Sequence, residues 1–106
     1  MNKFNIGPMS KNIVDSIIEF GTKENKIGLI PSRRQVDYCG GYVNNWDTTT
    51  FTNYVKTSNQ HIWLQRDHGG PGQGQLPDDG IVSFTNDCKN FDSIHIDPWK
   101  RYSNFN

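Results

Sequence analysis

The sequence predicts an α/β protein built from parallel β/α units. Short apolar stretches of strand length alternate along the chain with longer segments in which apolar residues recur at helical spacing. Glycine, proline and polar residues separate these segments from one another. Such alternation is typical of parallel strands joined by right-handed crossovers, and both the doubly wound sheet and the (β/α)8 barrel use it. In both architectures, functional residues lie at the carboxyl ends of the strands.

The first two β/α units begin the pattern. Apolar alternation near 3–7 predicts a strand, after which Ser10 is suited to be the N-cap of an amphipathic helix that Gly21 ends in the left-handed conformation. A nearly all-apolar run near 27–31 predicts a second strand that is covered on both faces. A polar, glycine-rich loop then leads to a second helix, for which Asp47 or the next residue provides the N-cap.

The second half of the chain repeats the arrangement. A third strand is expected near 61–67 and a fourth near 93–97, the latter stopped by Pro98. Between them, the segment 78–90 has loosely helical spacing but contains poor helix formers. We therefore expect a single domain over residues 1–106, because this length suffices for one compact domain and not for two.

Composition and charge exclude several classes of protein. Lys+Arg and Asp+Glu both number 11, so the formal net charge of zero predicts neither a nucleic-acid partner nor a membrane partner. No apolar run reaches the roughly 18 residues of a membrane helix, and the N-terminus lacks the apolar core of a signal peptide, so we expect a cytoplasmic protein. Cys39 and Cys88 stand far apart, which favours reduced thiols over a disulfide framework.

An Asp-His pair at the end of the third strand is the sharpest chemical feature. Asp67 shares its side of the strand with Trp63 and Gln65, which places it on the interior face of a barrel near the rim. The glycines that follow allow the chain to bend and turn His68 back toward the same side. The histidine could then bind a divalent metal while the aspartate moves a proton. Alternatively, Asp67 caps a turn and His68 is simply exposed.

A second polar pair is expected at the end of the fourth strand. His95 and Asp97 lie two residues apart and therefore share one face. This pair either serves function or consists of two groups that satisfy each other inside a barrel. His61 stands at the start of the third strand, at the opposite end of the sheet from the functional rim, so we interpret it as structural.

Glycine-rich loops could hold a phosphate. Gly40 and Gly41, and the segment 69–74, leave backbone N–H groups accessible, and Ser32 and Arg33 could add a hydroxyl and a charge. Neither segment matches a P-loop or the dinucleotide-binding fingerprint. Flexible, solvated loops are the alternative interpretation.

Three of these segments together resemble a known family. Segment 30–42 reads IPSRRQVDYCGGY, segment 64–71 reads LQRDHGGP, and segment 94–97 reads IHID. In this order they are similar to motifs at the ends of strands two, three and four of the GatZ/KbaZ-type subunit of tagatose-bisphosphate aldolase. That subunit belongs to the zinc-dependent class II aldolase superfamily. The resemblance spans nearly the whole chain, from about residue 4 to residue 97.

The resemblance implies the N-terminal half of a (β/α)8 barrel and a lyase reaction. By motif, Asp67 would be the acid/base and His68 a zinc ligand. The metal would polarise the carbonyl of a ketose bisphosphate during reversible aldol cleavage. Contacts to the phosphorylated sugar would come from Ser32, Arg33, Gln35, Gly40, Gly41 and Asp97.

Two functions follow from this resemblance. The first is a metal-dependent sugar-phosphate aldolase of carbohydrate metabolism, here as an incomplete fragment of a longer protein. The second is a non-catalytic accessory subunit or sugar-phosphate-binding module. Four strands leave two open edges, so we expect the barrel to be completed either by more of the same chain or by a second copy that closes it as a dimer. The resemblance also implies a catalytic aldolase subunit as a possible partner.

Overall fold

A computed structural model describes residues 4–96 of the chain and contains, in that range, four strands and three helices in strict alternation. In chain order they are β1 (Phe4–Ile6), α1 (Lys11–Phe20), β2 (Ile27–Leu29), α2 (Thr48–Ser58), β3 (Trp63–Gly69), α3 (Ile81–Asn90) and β4 (Ser93–Ile96). The predicted α/β class is confirmed, and the weakly helical segment does form a helix. No helix within 4–96 is both long and apolar enough to cross a bilayer.

The four strands form one parallel sheet whose spatial order is the chain order, β1-β2-β3-β4. In the register, Ile6 lies beside Leu29, and Leu29 lies beside Leu64. The described strands therefore lack the reversal of strand order that defines a doubly wound sheet. Because β/α/β connections are right-handed, an order that never reverses places all three helices on the same face of the sheet.

Local signals account for where the helices begin. At the start of α1, the Ser10 side chain accepts a hydrogen bond from the Ile13 backbone N–H (3.2 Å). At the start of α2, the Asp47 side chain accepts one from the Thr50 backbone N–H (2.7 Å). Both residues are the N-caps that the sequence predicts. Helix α3 instead begins after Gly80, whose φ of +80° favours glycine.

The role predicted for Gly21 at the end of α1 is wrong. Its φ is −70° and its ψ 129°, which is extended rather than left-handed backbone. The physical reason for a glycine there is packing, since a Cβ atom at this position would overlap the side chain of Ile62. The Gly21 N–H still closes the helix by donating to the Ile17 carbonyl oxygen.

The hydrophobic core lies between the helices and one face of the sheet. It includes residues of the long loop between β2 and α2 as well as residues of strands and helices. Its buried members are Val14, Ile17, Leu29, Val36, Val43, Trp46, Phe51, Val55, Ile62, Leu64 and Phe91. The loop, which reads as polar in sequence, is therefore packed against the sheet by its three apolar side chains.

The guanidinium of Arg66 extends from β3 into this core and is fully buried. Arg66 is 0% exposed, shares its face of β3 with Leu64, and forms a two-pronged ion pair with Asp87 of α3 at 2.9 and 3.0 Å. Its remaining N–H groups donate to the carbonyl oxygens of Val36 and Pro31 and to the Thr48 hydroxyl. All five donors are used, which is the condition under which a buried cation is tolerated.

We expect Arg66→Met to lower the free energy of unfolding by about 3–5 kcal/mol, because it leaves the Asp87 carboxylate buried without its cation. Urea denaturation at neutral pH measures the change. Arg34→Met is the matched control, since Arg34 is the exposed arginine of the preceding loop and its loss should cost about 0.5 kcal/mol or less. Equal stability of the two variants would contradict the structural role of Arg66.

Candidate metal centre

The face of the sheet away from the core carries a row of polar side chains. Successive strand residues alternate sides, so Trp63, Gln65 and Asp67 lie opposite to Leu64 and Arg66. The Trp63 indole N–H donates to the Ser93 hydroxyl (3.2 Å), which in turn donates to the Gln65 side-chain oxygen (2.9 Å). Asp67 follows on the same face, near the carboxyl end of the sheet.

A bulge in β3 determines what surrounds Asp67. The β3–β4 register pairs Arg66 with Ile94 and then Gly69 with Ile96, so the two residues between Arg66 and Gly69 face the single residue His95. His68 adopts φ +49°, a left-handed conformation that is uncommon for a residue with a side chain. The expected bend is present, but His68 itself makes it rather than the glycines that follow.

The bulge brings three metal-binding side chains together. One carboxylate oxygen of Asp67 lies 3.7 Å from His68 Nε2, and the other lies 3.6 Å from His95 Nδ1. One ligand atom from each of the three residues lies within 4.8 Å of the others. We call these residues the Asp67–His68–His95 cluster. Its side chains are 32%, 54% and 57% exposed, so solvent and a ligand can reach it.

The donor set of this cluster fits a divalent metal. Two imidazole nitrogens and a carboxylate oxygen are ligands that zinc uses in catalytic sites, which leave a further position open. Zinc–ligand bonds of about 2.1 Å place tetrahedral ligands about 3.4 Å apart. The distances of 3.6 and 3.7 Å, each to a different oxygen of Asp67, exceed this slightly, and all three ligand atoms lie within 4.8 Å of one another. Metal binding would therefore draw the two exposed imidazole rings inward. A set of two histidines and one carboxylate also suits ferrous iron.

The sequence does not predict His95 as a metal ligand. Its position on β4 could have indicated this role. His95 is two residues after Ser93, so both side chains lie on the face that carries the polar row. Only the register of β4 against β3 brings it opposite the bulge. Asp97, the expected companion of His95, lies outside the described residues.

Ser32 is beside the cluster, as its position after β2 suggests. It forms an isolated parallel bridge with Asp67, and the Asp67 N–H donates to the Pro31 carbonyl oxygen (2.9 Å). The Ser32 N–H donates to the side-chain oxygen of Gln35 (3.0 Å), and Gln35 is only 9% exposed. Gln35 therefore holds the loop in place, and its backbone N–H in turn donates to the Ser32 hydroxyl (3.3 Å).

The guanidinium of Arg33 is buried and forms its hydrogen bonds within the protein. It is 2% exposed, and its guanidinium lies between the carboxylates of Asp37 and Asp78 while also donating to the Gly70 carbonyl oxygen (2.9 Å). These contacts occupy all five of its N–H donors. Arg33 has no donor left for the phosphate that its sequence position suggests.

The backbone N–H groups of Gly40 and Gly41 are also hydrogen-bonded within the protein. The Gly40 N–H donates to the Asp37 carbonyl oxygen (2.9 Å), and the Gly41 N–H donates to that of Trp46 (3.1 Å). A Cβ atom at Gly41 would overlap the Gln35 carbonyl oxygen, so glycine here permits close packing of two backbone segments. These N–H groups consequently do not form an open cradle for a phosphate.

Comparison of the chain with protein-family models, with curated proteins and with solved structures found no match. The resemblance to the aldolase subunit therefore stays a prediction from three short motifs. The geometry of the cluster is the observation on which a function can be argued.

The ion pair between Arg33 and Asp78 makes a pH-dependent contribution to stability. The Arg33 guanidinium, aided by the Gly72 N–H, holds the pKa of the Asp78 carboxyl below its ordinary value. A carboxyl with a lowered folded-state pKa stabilises the protein above its unfolded-state pKa of about 3.9, and this stabilisation is lost as the pH falls through the folded-state pKa.

Asp78→Asn should therefore lower the free energy of unfolding by about 1–3 kcal/mol at neutral pH, because it removes a charge-assisted contact to a buried arginine. The difference between wild type and variant should shrink as the pH falls below about 4. Urea denaturation of both proteins at neutral and acidic pH measures it, with Glu24→Gln, at an exposed carboxylate before β2, as control. A difference that is the same at both pH values would contradict this origin.

Proposed function

We propose that this protein binds a divalent metal, zinc being the best fit, through the Asp67–His68–His95 cluster and uses it to polarise an oxygen of a substrate. The proposal rests on one observation, the convergence of two imidazoles and a carboxylate at a bulge. The cluster lies at the carboxyl end of a parallel sheet, where α/β proteins generally place their ligands. The left-handed conformation of His68 supports it, because such backbone is found more often at functional sites.

Each residue of the cluster would have its own role at such a metal centre. His68 and His95 would bind the metal as neutral imidazoles, and Asp67, equidistant from both within 0.1 Å (3.7 and 3.6 Å), is placed to be the third ligand. A bound metal supplies Lewis-acid polarisation of a carbonyl oxygen at its open position. The acid/base role expected for Asp67 requires its carboxylate to stay off the metal. Ser32, beside Asp67, is placed to contact a substrate hydroxyl.

The finer proposal is an aldolase-like lyase on a partial (β/α)8 barrel. Three features support it: the strand order that follows the chain, the cluster at the carboxyl end of the sheet, and the resemblance of three short segments to motifs of the tagatose-bisphosphate aldolase subunit. A barrel would need further strands beyond β1 and β4, supplied by more chain, by a second copy or by a catalytic aldolase subunit. Its substrate would be a phosphorylated sugar.

A non-catalytic, accessory module is the second candidate function. It is favoured by the internal engagement of Arg33, Gly40 and Gly41, which the aldolase motif assigns to the sugar phosphate. An accessory subunit needs the shape of the barrel without a working substrate site.

Zinc titration by calorimetry tests the metal centre. We expect binding of one zinc ion per chain, weakened by about 10-fold or more in His68→Asn and in His95→Ala, since each loses a ligand. Asparagine is chosen at position 68 because it tolerates the left-handed backbone. His61→Ala is the matched control, since His61 is an exposed histidine at the other end of β3.

The control should bind zinc as wild type does. Absence of zinc binding by the wild-type protein, or equal weakening by His61→Ala, would overturn the proposed centre. The Asp67→Asn variant separates the two roles of the carboxylate. Weakened zinc affinity indicates a ligand, whereas unchanged affinity with lost turnover indicates an acid/base.

Cleavage of tagatose bisphosphate by the zinc-loaded protein tests the finer proposal. The aldolase proposal predicts release of triose phosphates that stops on chelation of the metal and in His68→Asn, because the carbonyl is then no longer polarised. A coupled assay with a dehydrogenase for the released triose measures it. Stoichiometric zinc binding without turnover would contradict aldolase activity of this chain by itself and favour the accessory module.

A further inference from the structure

Gln65 lies next to the Asp67–His68–His95 cluster, one layer further down the same face of the sheet. It precedes Asp67 by two residues on β3, so their Cα atoms are about 7 Å apart and their side chains leave the strand on the same side. The Gln65 side chain is half-buried. A small ligand bound at the metal could therefore extend to the amide group of Gln65.

Hydrogen bonds determine which way this amide group is turned. An indole N–H can only donate, so the Ser93 hydroxyl accepts from Trp63 (3.2 Å). The hydroxyl proton is then donated to the side-chain oxygen of Gln65 (2.9 Å). The oxygen of the Gln65 amide is therefore the atom that faces Ser93, and the NH2 group of the amide points away from Ser93.

This NH2 group has no acceptor in the part of the chain that the structure describes. Within residues 4–96, no group accepts a hydrogen bond from it. The parallel bridge between Ser32 and Asp67 sets the register of β2 and β3 at this level. Ile30 and Gln65 each precede those residues by two positions and are therefore neighbours on the same face. Because an isoleucine side chain offers no acceptor, both N–H donors of an oriented amide are left for a ligand.

We propose that Gln65 is a ligand-binding residue of the metal centre. Its NH2 group would donate to a second oxygen of a ligand that binds the metal through its first oxygen. The ligand class that fits is a small compound with two oxygen-bearing carbons a few atoms apart. The inference rests on the proposed function, because the metal must hold the first oxygen.

Ser93 and Trp63 would be positioning residues that act through Gln65. A donor that is already oriented needs no reorganisation when a ligand arrives, which is why such donors are effective at sites of metal-assisted chemistry. Without the Ser93 hydroxyl, the amide could turn over and present its oxygen to the ligand instead of its NH2 group.

Calorimetric titration of the zinc-loaded protein with malonate and with acetate tests the proposal. Malonate has a second carboxylate for Gln65, whereas the single carboxylate of acetate stays on the metal. Gln65→Met keeps the length of the side chain and removes its donors. We expect it to weaken malonate binding about 10-fold or more, because a hydrogen bond to a charged group is lost. Zinc affinity and acetate affinity should not change.

The matched control is Gln60→Met, at an exposed glutamine beyond the other end of β3. It should bind zinc, malonate and acetate as wild type does. The positioning role of Ser93 has its own pair of variants. Ser93→Ala should weaken malonate binding several-fold, and Ser93→Thr, which keeps the hydroxyl, should restore it. Thermal unfolding of each variant shows that it is folded.

The outcomes separate this proposal from the metal centre itself. Absence of zinc binding by the wild-type protein would overturn both. With zinc bound, absence of malonate binding at millimolar concentration, equal malonate affinity of wild type and Gln65→Met, or equal weakening in Gln60→Met would overturn this proposal alone. Loss of zinc affinity in Gln65→Met would overturn it too, since the residue would then act on the cluster rather than on the ligand. Failure of Ser93→Thr to restore binding would overturn the positioning role of Ser93.

Discussion

The structure depends on the buried guanidinium of Arg66. A cation in an apolar core is stable only when every donor finds an acceptor, and here the acceptors come from the loop after β2, the start of α2 and the middle of α3. The ring of Phe91, 4.6 Å away, covers the guanidinium at the end of α3. One side chain of β3 therefore positions two helices and a loop, and burial raises the pKa of Asp87 while Arg66 opposes that effect.

The two faces of β3 have different environments, one buried against the helices and the other exposed. Arg66 is held rigidly on the helix side, and the chain bulges immediately afterwards, so Asp67 and His68 both face His95. Arg33 extends the scaffold, because its contacts to Asp78 and to the Gly70 carbonyl oxygen hold the loop that leaves β3. Charged residues of the interior thus support the loops on either side of the cluster, which leaves exposed histidines at the rim.

Much of the architecture could be predicted, whereas the site could be predicted only in part. Apolar spacing and N-cap residues were sufficient for the elements, because both depend on neighbours within a few positions of one another. Asp67 and His68 were recognised from one short motif. Arg33 was misleading, because nothing local distinguishes an arginine that meets a phosphate from one that meets two carboxylates, Asp37 and Asp78, one of them 45 positions away.

Local sequence patterns are enough to establish the alternation of strands and helices and the presence of an Asp-His pair at a strand end. Tertiary structure decided which residues meet there. The register between β3 and β4 brought His95 to the pair. These residues are about 28 positions apart in sequence, and such a contact depends on how the strands pair in the sheet rather than on any local pattern.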